Sequence, residues 1–392
     1  MALAIFGKAL FFAIATSMGI WMKAYVKTNV FFHGDSILIP QHRTYPVEFD
    51  SPQYGEHKFV DLTDIRVHYV TRGCDEEGNR PMLLLLHGFL DFWFIWNRQI
   101  PKLSEEFCVV APDLRGYGNT TRPTDTAEYL LPKLTEDVKG LLEALNPNHK
   151  REVVLVGHDW GGMISFCFAT LHETMIDKMV IINGMHPQAF LKQLFKSPTQ
   201  MRMSWYMLPF RRPDIPEKYL IMKDLQFLDK AHKGFTEREE YAHKYMYSQP
   251  GALTGTINNY RAINNDSDQL NKFPYYKLEV PTLILWGERD AFITSPVARY
   301  NQDWLVDSHL IYYEGAGHFP LRECSTPVTE RIREFVKTGT VVVTNERSVS
   351  PWRQRNIDDP CKESKEPSRQ QAPPSAPALL PDDEDLPEDM KL

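Results

Sequence analysis

The sequence predicts an α/β protein, a mostly parallel sheet covered by helices on both faces, with a helical insertion late in the chain. Three observations carry this. Apolar runs of strand length recur along the chain with helical patterns between them. Most of these runs are continuous rather than alternating, as strands buried on both faces must be. Between about residues 185 and 277 the alternation stops, and it resumes afterwards.

Taken in order, residues 59–62 and 65–71 read as an opening hairpin, with alternation at Val67-His68-Tyr69-Val70. Residues 82–86 form a wholly apolar run that ends at His87-Gly88, and residues 108–111 form another that ends at Pro112-Asp113. Residues 153–156, 179–182, 282–285 and 310–313 complete a set of eight strands. Helical periodicity marks residues 134–145 and 163–171. The core is therefore expected over residues 45–185 and 278–340, with a helical lid at 186–277 set over the carboxyl ends of the strands. Eight prolines and the acidic run at 382–385 mark residues 341–392 as a disordered tail, which carries eleven Asp/Glu against seven Lys/Arg.

A chain of 392 residues with 43% hydrophobic content can bury one large core and an insertion. Its net charge of −7 argues against a nucleic-acid partner. Cys74, Cys108, Cys167, Cys324 and Cys361 are odd in number and widely spaced, so they show neither a disulfide framework nor a metal-ligand spacing. Sequons at Asn119 and Asn265 are short enough to arise by chance. Residues 2–22 are nearly all apolar, interrupted only by Lys8, and approach the roughly 20 residues that cross a bilayer. No basic segment precedes them, so residues 1–30 read as a retained single-pass anchor, in the endoplasmic reticulum membrane, rather than a cleaved signal peptide. Lys23 and Lys27 favour a cytosolic catalytic domain, and the missing disulfide pattern leans the same way.

The chemistry centres on Gly157-His158-Asp159-Trp160-Gly161-Gly162, which follows an apolar strand and opens a helical pattern. Strand, glycine-bounded turn and helix make the setting of a nucleophile elbow. Its central residue is Asp159, not a serine or cysteine. A carboxylate attacks carbon by displacement and leaves an alkyl ester that water must cleave. That chemistry opens an epoxide or breaks a carbon–halogen bond. Such a nucleophile needs a base, a partner to orient the base and donors for an oxyanion. His318, in Gly315-Ala316-Gly317-His318-Phe319, supplies the base, and Asp290, in Trp286-Gly287-Glu288-Arg289-Asp290, the orienting carboxylate. The backbone N–H groups of Phe89 and Trp160 are the expected oxyanion donors. Taken alone, His318 reads as a solvated loop residue and Asp290 as a helix cap; four such signals at strand ends, in the order nucleophile, acid, histidine, read together as a site.

Those motifs, with Asp113-Leu114-Arg115-Gly116-Tyr117-Gly118, resemble the soluble-type epoxide hydrolases of the α/β-hydrolase fold, and most of all the small, N-terminally anchored animal members. The resemblance spans about residues 59–337. It implies two lid tyrosines that donate to the epoxide oxygen: Tyr206, in Ser204-Trp205-Tyr206, and Tyr260, in Asn259-Tyr260-Arg261. One departure is Leu90, which stands where the family usually has proline. Arg211-Arg212 is another, replacing an apolar stretch, with solvent exposure the simplest reading. Trp93, Trp205 and Phe319 are expected to line an apolar substrate pocket, with core packing the competing explanation for Trp93. Gly116-Tyr117-Gly118 lacks the third glycine of a dinucleotide loop, and with no metal-binding spacing the reaction is expected to need neither cofactor nor metal. The expected partners are a lipophilic epoxide, water and, through the N-terminal segment, a membrane. A dehalogenase with the same aspartate is the nearest alternative, and a non-catalytic membrane-tethered binding module the more distant one.

Overall fold

A computed structural model of the chain describes residues 2–265, 267–342 and 361–364, with side chains described for residues 16–263, 269–342 and 361–364. Among the described residues nine strands form one sheet: β1 (Glu56–Asp61), β2 (Arg66–Arg72), β3 (Met82–Leu86), β4 (Cys108–Pro112), β5 (Val153–His158), β6 (Lys178–Ile182), β7 (Thr282–Gly287), β8 (Ser308–Tyr313) and β9 (Glu363–Ser364). Their order is β1-β2-β4-β3-β5-β6-β7-β8-β9. β1 and β2 form the expected antiparallel hairpin, β2 pairs antiparallel with β4, and the pairs from β4 through β8 are parallel. Every residue of β3, β4, β5 and β7 is buried, which is why these strands read as unbroken apolar runs.

The chain order reverses at β3, which lies between β4 and β5. Open α/β sheets bind ligands outside the carboxyl ends of the strands at such a reversal. There β3 delivers His87-Gly88-Phe89 and β5 delivers Asp159. Between β6 and β7 come the helices Pro187–Lys196, Pro198–Met203, Ile215–Ala231, Glu237–Tyr247 and Ala252–Asn265. Two begin with proline, and Glu237–Tyr247 starts with a capping box in which the Thr236 and Glu239 side chains and backbone N–H groups exchange hydrogen bonds.

Two expectations need correction, and a third, the membrane anchor, is not supported. Among the described residues no helix is long and apolar enough to cross a membrane. The helix Ala2–His33 instead packs its described half on the insertion: Met22 and Val26 are buried, and Trp21 meets Trp205 and Tyr219 edge-on at 6.3 and 6.2 Å. The side chains of residues 2–15 lie outside the described residues.

The cysteines do form disulfides, Cys74 with Cys108 and Cys324 with Cys361, while Cys167 is free and buried. The partners stand 34 and 37 residues apart in the chain, and only the sheet brings them together. Cys74 follows β2 and Cys108 opens its antiparallel neighbour β4. Disulfides belong to oxidising compartments, so the cysteine argument for a cytosolic domain falls.

The expected disordered tail also contains ordered structure. Residues 361–364 are stitched to the sheet edge by the second disulfide, by β9 pairing with β8, and by an Arg331–Glu363 ion pair at 2.6 Å. Residues 343–360 and 365–392 lie outside the described residues. Alkylation of the denatured, unreduced protein is expected to modify one cysteine, Cys167, and after reduction all five. Intact-mass spectrometry reads the difference, and five adducts without reduction would contradict both pairings.

Candidate active site

β5 ends at His158, the next residue is Asp159, and the helix Trp160–His172 starts immediately after it. Asp159 has φ 51 and ψ −115, a backbone conformation that side chains with a Cβ rarely adopt. The turn closes so tightly that its neighbours must be glycine. A Cβ on Gly88 would lie 2.5 Å from the Asp159 Cβ, and one on Gly161 would lie 2.2 Å from the Leu86 carbonyl oxygen. The carboxylate is thereby held at the mouth of β3 and β5, where its Oδ1 accepts the Phe89 N–H at 2.8 Å. The Trp160 N–H, in the first turn of its helix, has no intrahelical acceptor.

His318 lies on the loop after β8, with its Nε2 3.4 Å from Asp159 Oδ2. Its Nδ1 is 2.8 Å from Asp290 Oδ2. Asp290, on the turn after β7, is fully buried, and its Oδ1 accepts the N–H groups of Phe292 and Ile293 at 2.7 and 3.0 Å. Burial opposes charge on His318, but the carboxylates of Asp290 and Asp159 outweigh it and push its pKa up to about 10. Burial likewise opposes charge on Asp159, and the His318 hydrogen bond overcomes it to hold the carboxyl below its usual range. The resting arrangement is thus an imidazolium between two carboxylates.

Tyr206 and Tyr260, both buried, approach the same place from the insertion with ring centroids 5.6 Å apart. Burial, reinforced by nearby negative charge that includes Asp159, pushes both phenols up, so they stay protonated. Tyr260 meets Phe89 edge-on at 4.8 Å and Trp160 at 5.1 Å. The structure therefore brings Asp159, His318, Asp290, Phe89, Trp160, Tyr206 and Tyr260 together.

The expected pocket residues fare differently. Trp93 packs in the core against Phe49, Tyr54 and His57, on the other side of the sheet from the tyrosines. Trp205 turns toward Trp21 of the N-terminal helix. Phe319 lies behind His318, against His158 and His232. In their place Phe210 flanks Tyr206 and Tyr260 at 5.4 Å each, and Phe292 covers His318 at 4.9 Å. Sequence reading also missed Asn183, whose Nδ2 donates to Asp290 Oδ2 at 2.7 Å while its Oδ1 accepts the Gly287 N–H at 2.8 Å. A polar residue directly after β6, at the same sheet edge as the other site residues, was the available signal. At position 90 the leucine stands at φ 63 and is buried, a conformation closed to the proline usual in the family.

Residues 81–323 match the protein family described as alpha/beta hydrolase fold. The human protein named Epoxide hydrolase 4 is 35% identical over 315 residues, covering 77% of this chain and 84% of that one. Epoxide hydrolase 2 of Caenorhabditis elegans is 33% identical over 290 residues, covering 71% and 79%. Among solved structures, a Bacillus megaterium epoxide hydrolase in complex with an inhibitor superposes with a TM-score of 0.64 at 25% identity, over 72% of this chain and all of that one.

An imidazole whose folded pKa of about 10 exceeds the unfolded value of roughly 6.5 stabilises the fold fully below the lower value. That contribution is lost as pH rises through the higher one. Unfolding free energy measured by denaturant titration is therefore expected to fall across this window, and Asp290→Asn to flatten the decline. Parallel curves for the two proteins would show that Asp290 does not hold the charge on His318.

Proposed function

The chain belongs to the alpha/beta hydrolase family and, within it, to the epoxide hydrolases, and on that premise we propose that it converts a lipophilic epoxide to a vicinal diol through an ester on Asp159. Asp159 Oδ1 is seated on the Phe89 N–H, which leaves Oδ2 to attack. As the new carbon–oxygen bond forms, the ring C–O bond breaks and its electron pair moves to the ring oxygen, which takes a proton from the tyrosine pair. The packing of Tyr260 against Phe89 and Trp160, with Tyr206 beside it, is the observation that supports this reading.

Ester formation then resets the histidine. It removes the negative charge on Asp159 that helped hold His318 protonated, so the imidazole's pKa falls and it becomes a base. The proton it sheds restores the phenol that gave one to the alkoxide. His318, oriented by Asp290, next takes a proton from water, and the resulting hydroxide adds to the ester carbonyl. The oxyanion falls on the Phe89 and Trp160 amides; collapse breaks the ester C–O bond, the leaving alkoxide takes the added hydroxyl's proton by way of His318, and the Asp159 carboxylate is restored.

Aromatic rings on every side, Phe89, Trp160, Phe210 and Phe292 among them, suit an apolar epoxide, including those of unsaturated fatty acids. His318→Gln is expected to stop ester cleavage and leave a substrate-sized mass adduct on Asp159 after incubation with an epoxide. An unmodified His318→Gln protein, with wild-type turnover intact, would sink the covalent mechanism. Replacing Tyr206 and Tyr260 together by phenylalanine is expected to lower kcat by ~10²-fold or more, as loss of general acids does, while the fold persists. Diol formation measured at saturating substrate reads the effect.

A further inference from the structure

Behind the turn that carries Asp159 lies a second buried polar cluster: Asp91, His158, His232 and His243, all at most 3% exposed. The Asp91 carboxylate is its centre. Its Oδ1 lies 3.1 Å from His243 Nε2, and its Oδ2 lies 3.6 Å from His158 Nδ1. The protons are in the wrong places for simple hydrogen bonds. His243 Nδ1 is 2.7 Å from the Glu239 carbonyl oxygen, and His158 Nε2 is 2.9 Å from that of His318. A carbonyl only accepts, so these nitrogens carry the hydrogens, and in neutral imidazoles the nitrogens facing Asp91 carry lone pairs. Unless an imidazole is doubly protonated, two lone pairs thus point at a carboxylate.

A third histidine is left over in the same place. Both ring nitrogens of His232 lack a well-formed hydrogen bond, although one faces the Leu90 backbone, and Asp91 Oδ2 and His158 Nδ1 are orphaned as well. Buried polar atoms without partners call for an ion or a water. Ligand atoms of Asp91, His232 and His243 lie within 4.8 Å of one another, and the His232 ring is held beside the other two by stacking on Phe235 and an edge contact with His243. Histidines that donate one nitrogen to a backbone carbonyl and offer the other inward have the outer-shell arrangement of metal ligands.

We propose that Asp91, His232 and His243, with His158 Nδ1 beside them, bind a divalent cation of zinc-like chemistry. Two imidazoles and one carboxylate are a borderline donor set suited to that ion. Two cations adjoin the cluster: Arg322, which ion-pairs with Glu239, and the His318 imidazolium beside His158, which is paired with Asp290 and Asp159. The role is structural. Asp91 follows Phe89 by two residues, and its carbonyl accepts the Tyr247 hydroxyl at 2.7 Å, so the ion fixes the loop that presents the Phe89 amide. His158 ties the same centre to the His318 loop. No metal-ligand spacing marks it because the ligands come from three separated segments.

The test uses the full chain, stripped of metal with a chelator and titrated with ZnCl2 or CoCl2. About one equivalent of Zn2+ is expected to bind and to raise the thermal midpoint, and Co2+ to give visible d–d absorption without a thiolate charge-transfer band. His232→Ala and His243→Gln are each expected to weaken Zn2+ binding by at least about tenfold with an unchanged circular dichroism spectrum. Stripped wild-type protein that binds neither ion would overturn the proposal and assign the site to protons. Equal binding by the folded variants would overturn it too, by placing the ion elsewhere. Should the variants not fold, the cobalt spectrum of the wild-type chain decides alone: a sulfur-ligated or purely aqueous signature rejects the site.

Discussion

Asp159 stands at φ 51 with its Oδ1 on the amide of Phe89 at 2.8 Å, a contact that joins the ends of β3 and β5. Much of the neighbourhood is what this contact demands. The carboxylate can reach the Phe89 amide only if the chain after β5 turns sharply, and the sharp turn brings backbone against backbone. Gly88 and Gly161 occupy two such approaches, where a single methyl group would overlap neighbouring atoms. The strained residue persists because β3 and β5 are buried in the middle of a parallel sheet and leave the turn no room to relax.

That seat sets the electrostatics. A buried carboxylate is costly without partners, and Asp159 has an amide on one oxygen and an imidazole near the other. The imidazole in turn needs Asp290, and Asp290 needs the Phe292 and Ile293 amides and the Asn183 side chain. Each group is satisfied by the next, so the chain of bonds runs from the ends of β3 and β5 through those of β6, β7 and β8. Five strand ends hold one charge arrangement, which is why their lengths and registers matter to a site made mostly of loop residues.

Legibility followed the physics of each element. Parallel strands buried on both faces are unbroken apolar runs, so the inner strands stood out, the β1–β2 hairpin showed through alternation, and polar residues on the turns after β5, β7 and β8 marked Asp159, Asp290 and His318. Asn183 stood in an equivalent place after β6 and was passed over because an amide has no catalytic reputation of its own. The disulfides left no trace, since Cys74 and Cys108 become neighbours only when β2 pairs with β4. Trp93 and Phe210 show the limit for aromatics. Both are large and apolar, and only tertiary packing sends one to the core behind the sheet and the other beside Tyr206 and Tyr260. The apolar N-terminal run reads as a membrane span from its length and composition, and the described part of its helix packs Trp21 against Trp205 and Tyr219 of the insertion.

The choice between opening an epoxide and releasing a halide rests on the basicity of what leaves. A halide is a weak base that leaves without a proton, and a pair of N–H donors is enough to receive it. The two indoles that would serve are separated here: Trp160 faces Tyr260, whereas Trp205 is turned against Trp21. An alkoxide is strongly basic and must be protonated or firmly hydrogen-bonded as it forms. Tyr206 and Tyr260 have their acidity suppressed by burial and by the Asp159 charge, so neither releases a proton to water near neutral pH. Only a partner of comparable basicity can draw the proton out. A donor kept protonated until a strong base develops beside it matches ring opening, and it has no use in front of a departing halide.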